Sequence, residues 1–388
     1  MKEGDALSLP KGWEIKTLGE VCEISTGNAN TEDAIENGAY AFFDRSKIIK
    51  RSSTYLFDCE AIIIAGEGAT FLPKFYSGKF NLHQRAYAIF NFSKYVDIQY
   101  AYKYLIHFHK YFEQVAVGAT VKSLRLRHFQ ELPIPLPPLP EQQRIVAILD
   151  EAFAAIAKAK ANAEQNLKNA KELFESYLQG VFENKGEGWE EKTLGEVCEI
   201  SSKLIDPKKP EFQNMIHIGA GNIMSQKGTL IDLKTAKEEN LISGKFLFNE
   251  SMILYSKIRP YLMKVVNCEF QGLCSADIYP LLPFHGKMIK DFLYHLLLTK
   301  DFTDYAILGS QRAGMPKVNR EHLFAYRFYL PSVKEQQAII QKLDALSTET
   351  KKLEAIYQQK INDLEELKKS VLQKAFNGEL KTKKAQTI

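Results

Sequence analysis

The sequence is short of most features that would announce a chemistry. Its apolar residues nowhere run for the roughly 18 positions that a membrane-spanning helix requires. The opening MKEGDALSLPKG holds no apolar stretch of leader length, so the chain is expected in the cytoplasm. Five cysteines are present, Cys22, Cys59, Cys198, Cys268 and Cys274, an odd number without a C-x-x-C pair. That argues against a disulfide framework and against a structural zinc site. Charge of one sign is also scarce: the net charge is +4 over 388 residues. Residues 12–140 carry 14 basic against 13 acidic side chains, and residues 188–334 carry 19 against 16. Neither part is a strongly basic, non-specific phosphate binder, so a nucleic-acid role must rest on local clusters.

Catalytic signatures are missing as well. Gly78-Lys79 and Gly244-Lys245 lack the upstream glycine and the Ser/Thr of a phosphate-cradling loop. Gly66-Glu67-Gly68 and Gly219-Ala220-Gly221 are half of a dinucleotide fingerprint and read as turns. His107-Phe108-His109 places two imidazoles at i and i+2, which diverge on a helix and do not share an ion. No Asn/Asp-Pro-Pro-aromatic tetrapeptide of amino-methyltransferases occurs. The expectation is a chain without bond chemistry of its own, with no catalytic and no metal residue.

What is there is a folded composition, 45% hydrophobic and 25% charged, and a repeat. GWEIKTLGEVCEIS at 12–25 returns as GWEEKTLGEVCEIS at 188–201, with only Ile15 against Glu191 changed. A second block repeats at a different offset: Glu141-Gln142-Gln143 aligns with Glu335-Gln336-Gln337, 194 residues on, and the match continues to Phe182 and Phe376. The first block is offset by 176, so the extra length of the second half lies between the blocks, where similarity nearly vanishes. The chain is two units that share a frame and differ in their inserts.

The second block reads as a long helix in each unit. Its 4-3 apolar spacing predicts a seam through Ile145, Leu149, Ile156, Leu173 and Tyr177 in the first copy. In the second the seam runs through Ile339, Leu343, Leu346, Leu353, Leu364, Leu367 and Val371. From 141 to 182 such a helix is about 63 Å long. Alanines of the first copy (Ala152, Ala159, Ala163, Ala170) facing larger residues of the second suit a mutual pair. The first helix carries the chain from one domain to the other, so pairing along its length requires the second to run back, and places Leu380 close to Trp13.

The predicted organisation is a domain over 1–140, a central helix over 141–183, a second domain over 184–334, a C-terminal helix over 335–380 and a polar tail over 381–388. The fold class is α+β: two globular domains of mixed β-sheet and helices, separated by an antiparallel coiled coil and related by a pseudo-two-fold. Apolar β-rich runs at 61–64, 87–90, 252–255 and 278–281 predict strands. A helix is expected in each insert, one presenting Ile98, Ala101, Leu105, Phe108, Phe112 and Val115, the other spanning 288–308.

Basic side chains interleaved with Tyr, Gln, Ser and His cluster at 44–51, 73–85, 118–128, 255–264 and 309–320. Taken singly, a charge run is more often a solvated face than a ligand site. As nucleic-acid contacts they yield Lys74, Lys79, Gln84, Arg85, Lys122, Arg125 and Arg127 in the first domain. In the second they yield Lys257, Arg259, Tyr261, Arg312, Lys317, Asn319 and Arg320.

Two similar halves, each opening with Thr17-Leu18-Gly19-Glu20-Val21 or its copy and passing through Pro135-Leu136-Pro137 and Glu141-Gln142-Gln143 into a long helix, resemble the specificity subunit of type I restriction-modification systems. Residues 66–70 and 256–262 also look like segments of its recognition domains. The resemblance covers nearly the whole chain. It implies a target recognition domain in each unit, reading one half of a bipartite, asymmetric site on double-stranded DNA. The helices would set the spacing and dock two adenine-methyltransferase subunits, with restriction-motor subunits joining them. S-adenosylmethionine, ATP and Mg²⁺ would belong to those partners, with no cofactor on this chain. A reading from another class is a coiled-coil tether holding two protein- or glycan-binding domains; it predicts no gathering of Lys257, Arg259, Arg312 and Lys317.

Overall fold

The computed structural model describes residues 10–200, 203–311 and 314–380. The chain forms two compact units, one holding the residues up to Glu164 together with those from Gln358 onward, the other Gln165–Tyr357. Both mix strands and helices, and the boundary between them falls within the two long helices, Leu139–Glu183 and Val333–Phe376.

The first unit is built on a six-stranded sheet in the order Glu23–Thr26, Ala86–Phe90, Phe57–Ala65, Lys74–Leu82, Tyr40–Phe43, Lys50–Ser52. All neighbours are antiparallel except Tyr40–Phe43 against Lys74–Leu82. The run Ala61-Ile62-Ile63-Ile64 is apolar without alternation because both faces of this strand are covered. Ile62 and Ile64 pack into the core beneath the helix Ile98–Val115, and Ala61 and Ile63 into a second core with Phe43 and Phe80. The helix is capped by Asp97, whose carboxylate accepts from the Gln99 and Tyr100 amides at 2.8 and 3.1 Å. Of its expected face, Ala101, Leu105 and Phe112 are buried; Tyr100 and Tyr104 join them by donating their hydroxyls to the Pro135 and Pro133 carbonyls.

The second unit has a four-stranded antiparallel sheet, Cys198–Glu199, Ile278–Pro283, Ile253–Ser256, Val265–Asn267, and a five-stranded sheet whose middle pairs Ile216–Ile218 with Gly272–Cys274 in parallel. The single helix expected over 288–308 is two, Lys290–Leu296 and Lys300–Leu308. The break is made by Thr299, whose hydroxyl donates to the Leu296 carbonyl (2.8 Å) and accepts from the Phe302 amide (3.2 Å), ending one helix and capping the next.

The repeated fourteen residues do the same job twice. Glu14–Thr17 pairs antiparallel with Pro133–Leu136, the strand just before the first long helix, and Glu190–Thr193 pairs with Arg327–Leu330 in the equivalent register. Glu20 accepts from the Thr17 amide and hydroxyl at 2.6 and 2.7 Å, and Glu196 from Thr193 at the same distances. Leu18 and Leu194 donate their amides to Leu132 and Tyr326, both at 2.8 Å. The one difference, Ile15 against Glu191, falls on an exposed strand position, where either side chain is tolerated. Burial pushes the Cys22 and Cys198 thiols up to about 12, which keeps them protonated and unreactive.

Each Glu-Gln-Gln locks its helix to its domain through the first glutamine, fully buried in both copies. Gln142 donates to Tyr95 and Pro137 carbonyls and accepts from the Asp97 amide; Gln336 donates to Lys287 and Pro331 carbonyls and accepts from the Ile289 amide. In the first unit the helices run antiparallel. Lys160 pairs with Glu365 at 2.5 Å, Lys368 lies over Phe153, and Ile145 and Leu149 share a core with Leu372, Ala375 and Phe376. Trp13 and Leu380 pack on that core, and Arg144 donates to the Leu380 carbonyl. In the second unit Leu178 shares a core with Ile340 and Leu343.

The seam departs from a strict heptad. Ile145, Leu149, Ile156 and Leu343 are buried, and Ile339, Leu346, Leu364 and Val371 are half-buried. Leu173 (50%), Tyr177 (37%), Leu353 (37%) and Leu367 (47%) are exposed, and the neighbours Phe174, Leu178 and Leu372 turn inward instead. A straight α-helix drifts by about 20° per heptad against a 3.5-residue repeat, so over this length the inward face moves on by one residue. Ala163, Ala170 and Thr350 remain inside.

Candidate nucleic-acid interface

The two inserts share no visible sequence, yet each builds the same backbone clamp. In the first unit the strand Phe57–Ala65 runs into the Gly66-Glu67-Gly68 turn, and in the second Ile253–Ser256 runs into Lys257-Ile258-Arg259. Gly66 donates its amide to the Arg85 carbonyl at 2.7 Å, as Lys257 does to Asp277 at 3.0 Å. The carbonyls of Gly66 and Lys257 accept from Leu124 and Val318, both at 2.8 Å. Gly68 donates to Lys122 at 3.1 Å, and Arg259 to Pro316 at 2.9 Å. The hydroxyls of Tyr87 and Tyr279 donate to the Leu124 and Val318 carbonyls, both at 3.2 Å. Two such turns, each held from both sides, form rigid platforms on which side chains are displayed. In the first unit the approach is closer and requires glycine, since a Cβ at Gly66 would lie 2.5 Å from the Arg85 oxygen, whereas the second unit accommodates Lys257 there.

Around the first clamp lies a polar cleft of about 240 Å³, lined by Thr31, Asp44, Arg45, Glu67, His83, Gln84 and Arg85. Arg85 is largely exposed and its guanidinium is held at 2.5 Å by the mostly covered Glu67 carboxylate. Gln84 donates to the Asn30 side chain at 2.6 Å. Lys74 reaches the neighbouring loop, donating to the Ser46 carbonyl at 2.7 Å; burial holds its ammonium below the ordinary lysine value. Lys122 contributes its carbonyl to the clamp while its ammonium folds back on the Glu113 carbonyl at 2.8 Å. Arg125 precedes the short helix Leu126–Gln130, and both Arg125 and Arg127 are exposed. Lys79 stands apart. It is five residues from Lys74 along one strand, on the opposite face, with its ammonium over Tyr55 (4.7 Å) and near Asp58 (3.9 Å).

The second clamp gathers cations around a tyrosine. Lys257 is nearly buried: its ammonium donates to the Ala276 carbonyl and lies 4.9 Å from the Tyr279 ring centroid. Lys317 meets Asp277 at 3.5 Å, and the Arg320 guanidinium lies 5.9 Å from the Tyr279 ring centroid. Burial, reinforced by Lys317, brings the Lys257 ammonium down to about 8. Arg259 holds a left-handed backbone (φ 50°), and its side chain and the half-exposed Tyr261 face solvent beside the cluster. Asn319 caps the helix Arg320–Phe324, its side chain accepting from the His322 amide at 2.7 Å, a structural role. Arg312 lies outside the described residues.

Sequence reasoning missed Arg45, Glu67, Asp277 and Tyr279. Arg45 and Glu67 sit in stretches it had singled out, but the pairing of a carboxylate with a displayed cation, and a tyrosine's place in the clamp, emerge only once strand registers are fixed. Among the described residues no group of three or more His, Cys, Asp or Glu could hold a metal ion, and no helix is long and apolar enough to cross a membrane. His107 stacks on Phe376 while His109 bonds the Ile106 carbonyl, each engaged locally.

Residues 10–168 and 186–366 match the type I restriction modification DNA specificity domain. The chain belongs to that family. Among curated proteins it is 30% identical to the type I restriction enzyme EcoDI specificity subunit of Escherichia coli, over 96% of this chain and 89% of that one. It is 21% identical to the MjaVIII specificity subunit of Methanocaldococcus jannaschii, over 98% and 96%. Among solved structures it resembles a chain from a study of assembly and conformational transition of the type I R-M system, with a TM-score of 0.73 at 17% identity, covering 96% of this chain and all of that one. The HsdS subunit of Thermoanaerobacter tengcongensis gives 0.59 at 17% identity, over 98% and 100%. These two share the fold. Within the family this chain is a recognition component rather than a catalytic one, with one specificity domain in each matched segment.

Proposed function

We propose that the chain is the DNA-recognition subunit of a type I restriction-modification complex, in which each unit reads one half of a bipartite, asymmetric site. The observation that carries this reading is the clamp: one backbone platform built twice, displaying different polar side chains in the two units. A common frame with unlike readers suits an asymmetric target, because the frame fixes where a base edge is met and the side chains fix which base is accepted.

The same reading makes the long helices the spacer and the docking surface for two adenine-methyltransferase subunits, with restriction-motor subunits joining the assembly. S-adenosylmethionine, ATP and Mg²⁺ then belong to those partners, in the cytoplasm where the DNA is. Against the tether reading, which leaves Lys257, Arg259, Arg312 and Lys317 scattered, Lys257 and Lys317 meet at Asp277 at 3.8 and 3.5 Å, a gathering that a protein- or glycan-binding spacer has no need of.

The test is selection from a randomised duplex pool by the full chain with its methyltransferase partner. Enrichment of one two-part motif with a fixed gap is expected. Retention without enrichment would reduce the chain to a non-specific binder.

A further inference from the structure

The clamps match in their backbone hydrogen bonds, and one equivalent position carries opposite charge. At the position whose carbonyl accepts from the turn, the first unit has Arg85 and the second Asp277. Two positions from each clamp tyrosine along the strand, these residues occupy the same place beside the turn. The turn's middle residue makes an isolated antiparallel bridge to the facing segment in both units, Glu67 with Ser123 and Ile258 with Lys317. In the first unit the turn supplies the carboxylate, Glu67, and the strand position the displayed cation, Arg85. In the second the residue before the strand Ile278–Pro283 supplies the carboxylate, Asp277, and the facing segment the cation, Lys317, at 3.5 Å.

We propose that the ion pair beside each clamp, Glu67 with Arg85 in one unit and Asp277 with Lys317 in the other, is the specificity-determining contact of each half-site, with Arg85 reading a guanine. The inference rests on the chain being the DNA reader. The backbone is kept and an ion pair stands beside it in both units, while the sign at the Arg85/Asp277 position and the group presented change, which is what a reading position requires and a purely structural salt bridge does not. Arg85 is more than half exposed and its partner mostly covered, so its free guanidinium edge is pre-oriented outward over the cleft. Two parallel N–H donors match the O6 and N7 acceptors of guanine in the major groove. In the second unit both members of the pair are partly exposed, offering a donor and an acceptor side by side, the complement of a G·C pair.

The experiment is selection from the randomised pool by the full chain and its methyltransferase, comparing wild type with R85A, E67Q and K317A. Expected is a loss of about tenfold in discrimination at one guanine position of one half-site for R85A, a changed preference at that same position for E67Q, and an effect confined to the other half-site for K317A. The undisturbed half-site in each variant reports that the chain is folded, and E67Q, which keeps shape and hydrogen-bonding capacity, decides the matter if R85A does not fold. Uniformly weaker binding with both half-sites unchanged would make these phosphate contacts and overturn the inference while leaving the reader intact. Absence of any motif with wild type would overturn the reader itself.

Discussion

Lys257 is the side chain whose environment says most about conditions. Its ammonium is nearly buried beside Lys317 and Arg320, and burial brings it down to about 8. Because the folded value lies below that of an exposed lysine, the unfolded chain holds a proton between about pH 8 and 10.5 that the folded chain has released. Stability contributed by this group therefore rises with pH across that window. DNA binding should show the opposite trend: a phosphate drawn to the cluster favours the charged form, so affinity falls as pH rises through about 8 and binding takes up a proton there. Titration calorimetry in buffers of different ionisation enthalpy should show that uptake, and K257M should abolish it; a pH-independent affinity would place Lys257 off the interface. Gln142 and Gln336 invite the complementary test of the frame. Replacing either by alanine leaves two carbonyls and an amide without partners at a helix start, which should cost on the order of 3 kcal/mol, read as a lower urea midpoint. A neutral effect would mean that water replaces the amide.

At the scale of elements, the domain-to-helix joint has the same acid in both units and a different base. Asp150 on the first long helix pairs with Lys103, while Asp344 on the second faces His295 at 3.5 Å. His295 is buried, its Nδ1 has no hydrogen-bond partner, and burial holds its value below the ordinary 6.5. A histidine kept neutral in the folded state costs stability once the unfolded chain begins to protonate, so the joint held by His295 should weaken as pH falls through about 6.5. Hydrogen exchange at pH 7.5 and 5.5 should show faster opening of Lys290–Leu296 at the lower pH, and H295N should shrink that difference; an equal difference in wild type and variant would contradict it. How far the elements were legible follows from the same chemistry. The repeated frame could be read directly, because its capping boxes, strand register and buried glutamines are fixed by residue identity. The long helices were legible in extent but not in facing, since the drift of a straight helix puts Leu173 and Leu367 outside and Phe174 and Leu372 inward. The clamps were not legible, because backbone groups build them and the side chains at equivalent places differ, down to opposite charge at Arg85 and Asp277.

At the scale of the whole molecule, the last described residues, up to Leu380, belong to the first unit. Phe376 packs against Tyr100 and Tyr104, and a Cβ on Gly378 would lie 2.2 Å from the Pro10 ring. A chain joined from Leu380 to Trp13 by a short linker and reopened at Gly186 should fold and bind as the parent does; loss of soluble product would contradict the packing of the two ends. A chain ending at Phe182 has the repeat's counterpart of Phe376 but no partner helix, so it should form a two-fold dimer reading a symmetric site. A monomer in analytical ultracentrifugation would refute this. The most direct measurement of the central claim is the map of methylated adenines on genomic DNA exposed to the full chain with its methyltransferase partner. One bipartite motif, asymmetric and with a fixed spacer, is expected. A stable complex that methylates no common motif would contradict it.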